Sequence, residues 1–146
     1  MSAETSDYQL EWVADIASPA PTVKRSPIGS LSELDERLDR LYAEAEAGEP
    51  FIVELVQPQR GAALGMGLGK TASVLAFKQS ELPPYYQSVG DAEPLGGPHD
   101  LVVFYYQGQW TEFPAKGLVS MESARSAMRT FFQTGERPNN IRWEEI

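Results

Sequence analysis

The chain has 146 residues, of which 42% are hydrophobic and 23% charged; these are ordinary proportions for a globular domain, and the length suffices to bury about two thirds of the unfolded chain's surface. It contains no cysteine, which excludes disulfides, thiolate nucleophiles and Cys-based zinc or iron–sulfur sites. Twenty-one acidic residues against twelve basic ones leave a formal charge of −9, a field that repels nucleic-acid backbones and anionic lipid and attracts basic proteins.

The first residues, Met1 to Asp7, carry neither a basic stretch nor an apolar core of the signal-peptide kind, and no apolar run approaches the ~20 residues of a membrane span. The expected location is the cytoplasm, with no membrane partner. Tyr8, Leu10 and Trp12 alternate with polar residues and predict a first strand. Ser18 to Pro27 holds three prolines, each of which fixes φ and removes a donor, and predicts a loop. A helix follows. Ser30 is placed to cap it, Glu33 completes a capping box, and Leu31, Leu34, Leu38, Leu41 and Ala45 share one face. Gly48 and Pro50 end it, and its other face is charged, with Glu36 and Arg40 spaced to pair.

Phe51 to Gln57 is rich in β-branched residues and predicts a strand closed by Pro58. Arg60 to Phe77 predicts a hairpin turning near its glycines. Between Lys78 and Pro98 the prolines and acidic residues predict a long exposed loop system with a short strand near Tyr85 to Val89. Leu101 to Tyr106 is apolar on both faces, which predicts a central strand covered by a helix. Gln107-Gly108 turns it into Gln109 to Phe113, ended by Pro114. A second helix is expected from a Ser120 cap, with Glu122 in its first turn and an apolar face of Met121, Ala124, Ala127, Met128, Phe131 and Phe132 that should cover the central hairpin. Gly135 suits a left-handed cap and Pro138 prevents the helix from resuming, after which Ile141 and Trp143 alternate as a last strand. The whole predicts one α+β domain over residues 1–146, an antiparallel sheet of about six strands with two helices packed against it.

Motifs that carry chemistry are weak. Gly69-Lys70-Thr71 ends like a phosphate-binding loop, but the first glycine of that motif would fall at Leu64 and a strand rather than a helix follows, so glycines serving a tight hairpin explain the segment better. His99 is the sole histidine; beside Asp100 it lacks the further ligands of a metal site or the context of a catalytic dyad. The carboxylate pairs Asp91/Glu93 and Glu144/Glu145 sit in a loop and near the chain end, where burial rarely drives two pKa values apart. No catalytic residue, metal or cofactor is expected.

The segment Phe131-Phe132-Gln133-Thr134-Gly135-Glu136-Arg137-Pro138 followed by Ile141-Arg142-Trp143-Glu144-Glu145 resembles the helix end and terminal strand of the first-numbered family of immunity proteins in bacterial polymorphic toxin systems. Gly65 to Gly69 with Ser73 to Phe77, Pro84 to Gly90, and Gly108 to Pro114 are similar to further pieces of that family, so the resemblance spans about residues 50 to 146 and leaves residues 1–30 outside. It implies a binder rather than an enzyme. Its partner would be a cognate toxin domain, a nucleic-acid deaminase or a nuclease, whose basic cleft an acidic protein would occlude. Aromatic anchors within an acidic rim suit that task, and Tyr85, Tyr86, Asp91, Glu93 and Glu112 are the expected toxin-binding residues. Two other readings stand beside it: a small α+β enzyme or binder with a pocket between sheet and helices lined by Trp110, Tyr105 and His99, and an interaction module with a non-toxin partner.

Overall fold

The computed structural model describes residues 7–16, 18–90 and 100–146. The described residues form eleven strands and two α-helices, more strands than the sequence predicts but the α+β class it indicates. In chain order they are β1 (Tyr8–Ala14), β2 (Thr22–Ile28), α1 (Leu31–Ala47), β3 (Phe51–Gln57), β4 (Ala62–Leu68), β5 (Ala72–Ser73), β6 (Leu75–Lys78), β7 (Tyr85–Val89), β8 (Leu101–Tyr106), β9 (Gln109–Pro114), β10 (Val119–Ser120), α2 (Met121–Thr134) and β11 (Arg142–Glu145). A 3-10 turn, Ala115–Gly117, precedes β10.

One sheet holds nine strands. Its main path runs β11-β7-β6-β4-β3-β1-β2, and β8 joins the start of β3 through a single parallel contact at Phe51 and Tyr105, with β9 on its far side. The short β5 and β10 pair separately. The segment expected to be a Pro-rich loop instead supplies β2, paired with β1 along its whole length. The prolines permit this because β2 is an edge strand, where Pro27 needs no outward donor.

Both helices cover the same face of the sheet. In α1 the Ser30 hydroxyl accepts from the Glu33 amide at 3.1 Å while the Glu33 carboxylate accepts from the Gly29 amide at 2.6 Å, a capping box shifted by one residue. Leu34, Leu38, Leu41 and Ala45 are buried along its inner stripe. In α2 Ser120 caps through the Ser123 amide at 3.0 Å, and Gly135 ends the helix in the left-handed region at φ 70°. Phe131 is fully buried and meets Tyr8 and Phe77 edge-on, both at 5.7 Å between ring centres. Val53, Leu55, Leu64, Met66 and Phe77 of the sheet complete this larger core. The Tyr8 hydroxyl donates to the Phe131 carbonyl at 3.2 Å, and burial raises that phenol's pKa above its ordinary value.

Among the described residues the opposite face carries no α-helix, only the 3-10 turn through Ala115. Here the expectation that Leu101 to Tyr106 is a helix-covered central strand, and that α2 covers it, does not hold. The β8–β9 hairpin folds back across the sheet, and Phe104 and Phe113, 6.2 Å apart, pack with Ile52, Val74 and Leu118 as a second, smaller core. The strand reads as apolar on both sides for a different reason: one side meets the sheet and the other faces out. Gly67 makes this possible, since a Cβ there would lie 2.6 Å from the Phe104 ring. The glycines of β4 therefore belong to the strand, and the turn to β6 lies beyond them. Gln107 and Gly108, both at positive φ (54° and 79°), make the two-residue turn of the hairpin.

Candidate functional site

Alternation along β3 sends Phe51, Val53 and Leu55 toward the helices and Ile52 and Glu54 to the helix-free face. Glu54 is the one charged residue of that strand, and the hairpin reaches it. The Tyr106 hydroxyl donates to one carboxylate oxygen at 2.8 Å and the Gln107 amide to the other at 3.4 Å. Burial, and secondarily the Glu54 carboxylate, holds the Tyr106 phenol far above its usual pKa, so it stays a donor. Glu54 lies between two open clefts. One, of about 330 Å³, also has Lys78, Glu81, Tyr85, Tyr86, Tyr106 and Ile146 in its wall. The other, of about 260 Å³, is bounded by Glu11, Trp12, Val13, Val23 and Ile52.

The expected binding residues divide. Tyr85 lines the larger cleft, is 36% exposed, and donates its hydroxyl to the Glu81 carbonyl at 2.6 Å. Tyr86 stands beside it in the chain but is half-buried, with the Arg137 guanidinium 4.2 Å from its ring centre and Phe77 at 6.4 Å. Much of Tyr86 thus holds the C-terminal segment in place. There β11 pairs with β7, and the Trp143 indole donates to the Pro138 carbonyl at 2.7 Å. Glu112 is exposed on β9 and is not among the residues that line the cleft of Tyr85. Asp91 and Glu93 lie outside the described residues, as does His99. Trp110, which the rival small-molecule reading puts in a pocket between sheet and helices, is 63% exposed on the outer side of the hairpin.

The sequence offers Tyr106 only as one of several aromatic anchors, with Tyr85, Tyr86, Tyr105 and Trp110, and does not single out Glu54. The available signal was the lone carboxylate inside the apolar run Phe51-Ile52-Val53-Glu54-Leu55-Val56; its phenol partner lies 52 positions away and could not be read from it.

Ion pairs are unevenly distributed over the surface. Four acids in the first half of α1 pair with arginines, Arg37 with Glu33, Arg40 with Glu36 at 3.1 Å, Arg125 with Asp35 and Asp39, and Arg129 with Asp35 at 2.9 Å, whereas Glu46 of α1 and Glu122 of α2 have no ion pair among the described residues. Asp15, Glu44, Glu49 and Glu112 have no ion pair among the described residues. The first three line a groove of about 280 Å³ with Trp12, Ile16 and Phe51, where β1 ends and β3 begins. Among the described residues no group of three His, Asp or Glu side chains is arranged to hold a metal, and no helix is long and apolar enough to cross a membrane.

Fold and surface together define an α+β domain with an exposed indole on its hairpin and carboxylates, unpaired among the described residues, on that hairpin and at the C-terminal end of α1. Over residues 24–145 the chain matches the family model of immunity protein Imm1, and it belongs to that family. The match takes in α1 and most of β2 as well as the C-terminal motifs. No curated protein matches the chain.

Proposed function

We propose that this protein binds a cognate toxin domain of a polymorphic toxin system in the cytoplasm and inhibits it by occluding a basic, nucleic-acid-binding cleft. Membership of the immunity-protein family carries the reading. The charge of −9 supports the mode of action, since deaminases and nucleases alike must hold a polyanion against basic side chains, and an acidic body competes for the same groups. Inhibition of this kind needs no chemistry by the inhibitor. Tyr85, Tyr86, Asp91, Glu93 and Glu112 remain the proposed contacts from the sequence, with Tyr85 and Glu112 the more accessible of the three described.

A stable complex of this kind buries about 1,600 Å² in total, forms faster at low salt, and dissociates at a rate governed by a few buried aromatics. The decisive experiment expresses the neighbouring toxin domain in bacteria with and without this chain. Growth restored by co-expression supports the proposal; failure of rescue with every adjacent toxin candidate defeats it.

A further inference from the structure

The β8–β9 hairpin has an outer side that is only partly covered among the described residues: Tyr105 packs against the larger core and Val103 is half-buried. Its inner residues, Phe104, Tyr106 and Phe113, are used against the sheet. Alternation puts Leu101, Val103 and Tyr105 of β8, and Trp110 and Glu112 of β9, on the other side. Leu101 is 56% exposed and Trp110 63%, large exposures for apolar side chains on a paired strand. Tyr105 and Trp110 are cross-strand neighbours and meet edge-on at 5.9 Å, so each helps hold the other's orientation. Phe104 and Phe113 back the same strands from beneath. The indole is therefore displayed on an ordered ribbon, and little side-chain entropy is left to lose on binding.

The stripe adjoins the acidic groove. Tyr105 pairs in register with Phe51, its amide donates to the Pro50 carbonyl at 2.9 Å, and Phe51 forms part of the groove wall with Asp15, Glu44 and Glu49. At the hairpin turn, Gly108 lies against Val13, another residue of that wall. An apolar stripe and a strip of unpaired carboxylates thus form one continuous surface.

We propose that this surface is where the toxin docks, with Trp110 as the central anchor and a lysine- or arginine-bearing loop from the rim of the toxin's cleft as the occupant. The proposal rests on the immunity reading above and, of the contacts named there, keeps Glu112 and moves the anchor from the cleft of Tyr85 and Tyr86 to the hairpin. Charge selects the occupant. A guanidinium can stack on the indole while its neighbours meet Glu112 or the groove carboxylates, a combination that supplies both cation–π attraction and paired charge. Nucleic acid is repelled by the same carboxylates. A second copy of this chain would bring Glu112, Glu44 and Glu49 against like charges, which disfavours self-association through this side.

The test measures binding of the purified, catalytically inactivated toxin domain encoded beside this gene to the full-length chain and to three variants, Trp110→Ala, Glu112→Lys and Glu122→Lys. Glu122 is exposed at the start of α2, on the helical side, so its reversal changes net charge as Glu112→Lys does but leaves the proposed surface intact. Trp110→Ala is expected to speed dissociation about thirtyfold or more, the loss typical of a central aromatic anchor. Glu112→Lys should slow association about tenfold at low salt, with the difference shrinking as salt rises, while Glu122→Lys stays within about twofold of the parent. Thermal midpoints should match the parent for Trp110→Ala and Glu112→Lys, so that weakened binding is not misfolding.

Parent-like binding by both hairpin variants overturns the proposal, and so does an equal effect of the two charge reversals, which would mean that only net charge matters. A dimer of the chain alone that Trp110→Ala dissolves also overturns it, by assigning the stripe to self-association. Failure of the parent chain to bind or protect against any adjacent toxin defeats the functional reading itself; a protective parent with unaffected hairpin variants defeats only this choice of surface.

Discussion

Where α1 and α2 cover the sheet, Leu34, Leu38, Phe131 and Met128 are fully buried and arginines outside them pair with the acids in the first half of α1; on the other face a two-stranded hairpin covers only part of the sheet, and its Glu112 has no ion pair among the described residues. The difference teaches how one small fold can separate stability from recognition. A helix buries a broad stripe and turns its polar side outward. A hairpin is only one residue thick, so a strand packed on one side must display whatever stands on the other. The helical side consequently holds most of the core, and the hairpin side presents aromatic groups that the core does not need.

The largest effect that would sharpen this contrast is expected from Phe131→Ala. It empties a fully buried site between Tyr8 and Phe77 and should cost about 4 kcal/mol, read as a drop in urea midpoint with little change in slope. A cost below that of substitutions in the smaller core would break the assignment of stability to the helical side. Gly67→Val tests the hairpin side from beneath. Its side chain would collide with the Phe104 ring, and overpacking of about 2 kcal/mol should appear in the same assay, with loss of protection against proteolysis in β8 and β9 before the rest unfolds.

Ser120→Ala comes next. It removes the hydroxyl that accepts from the Ser123 amide and should lower stability by about 1 kcal/mol, with little change in toxin binding, because the cap lies on the helical side. The smallest effect belongs to Tyr106→Phe, which removes one hydrogen bond to a half-buried carboxylate and should cost under about 1 kcal/mol at neutral pH. Its signature is the pH profile. The phenol's pKa is raised in the folded state, so the folded protein keeps that proton to higher pH than the unfolded chain. The stability linked to it is complete below about pH 10 and declines as pH rises further. Alkaline denaturation curves should therefore fall less steeply for Tyr106→Phe than for the parent; equal slopes would dissociate the hairpin from Glu54.

Short-range chemistry explains which features could be read in advance. The Ser30 and Ser120 caps, the left-handed Gly135 and the Gln107-Gly108 turn all depend on residues within a few positions of one another, and each stands where the spacing puts it. The prolines before Ile28 misled because proline excludes a central strand but not an edge strand, and edge position is a property of the whole sheet. Leu101 to Tyr106 misled because an apolar strand reads the same whether both sides are covered or one is left partly exposed. At the candidate site Tyr85 and Glu112 are accessible as expected, whereas Tyr86 is largely taken up by Arg137 and Phe77, contacts made across sequence distances that no local pattern encodes.

The amino-acid sequence by itself determined the α+β class, the limits and inner faces of both helices, the acidic character and the family resemblance, because these follow from periodicity, capping and composition. Only the tertiary structure decided which sheet face each element covers, that Glu54 finds Tyr106, and that Trp110 stands outward beside unpaired carboxylates. Those outcomes turn on strand order and on the close approach of Phe104 to Gly67, where hydrophobic burial is non-directional and steric fit selects among its possible arrangements.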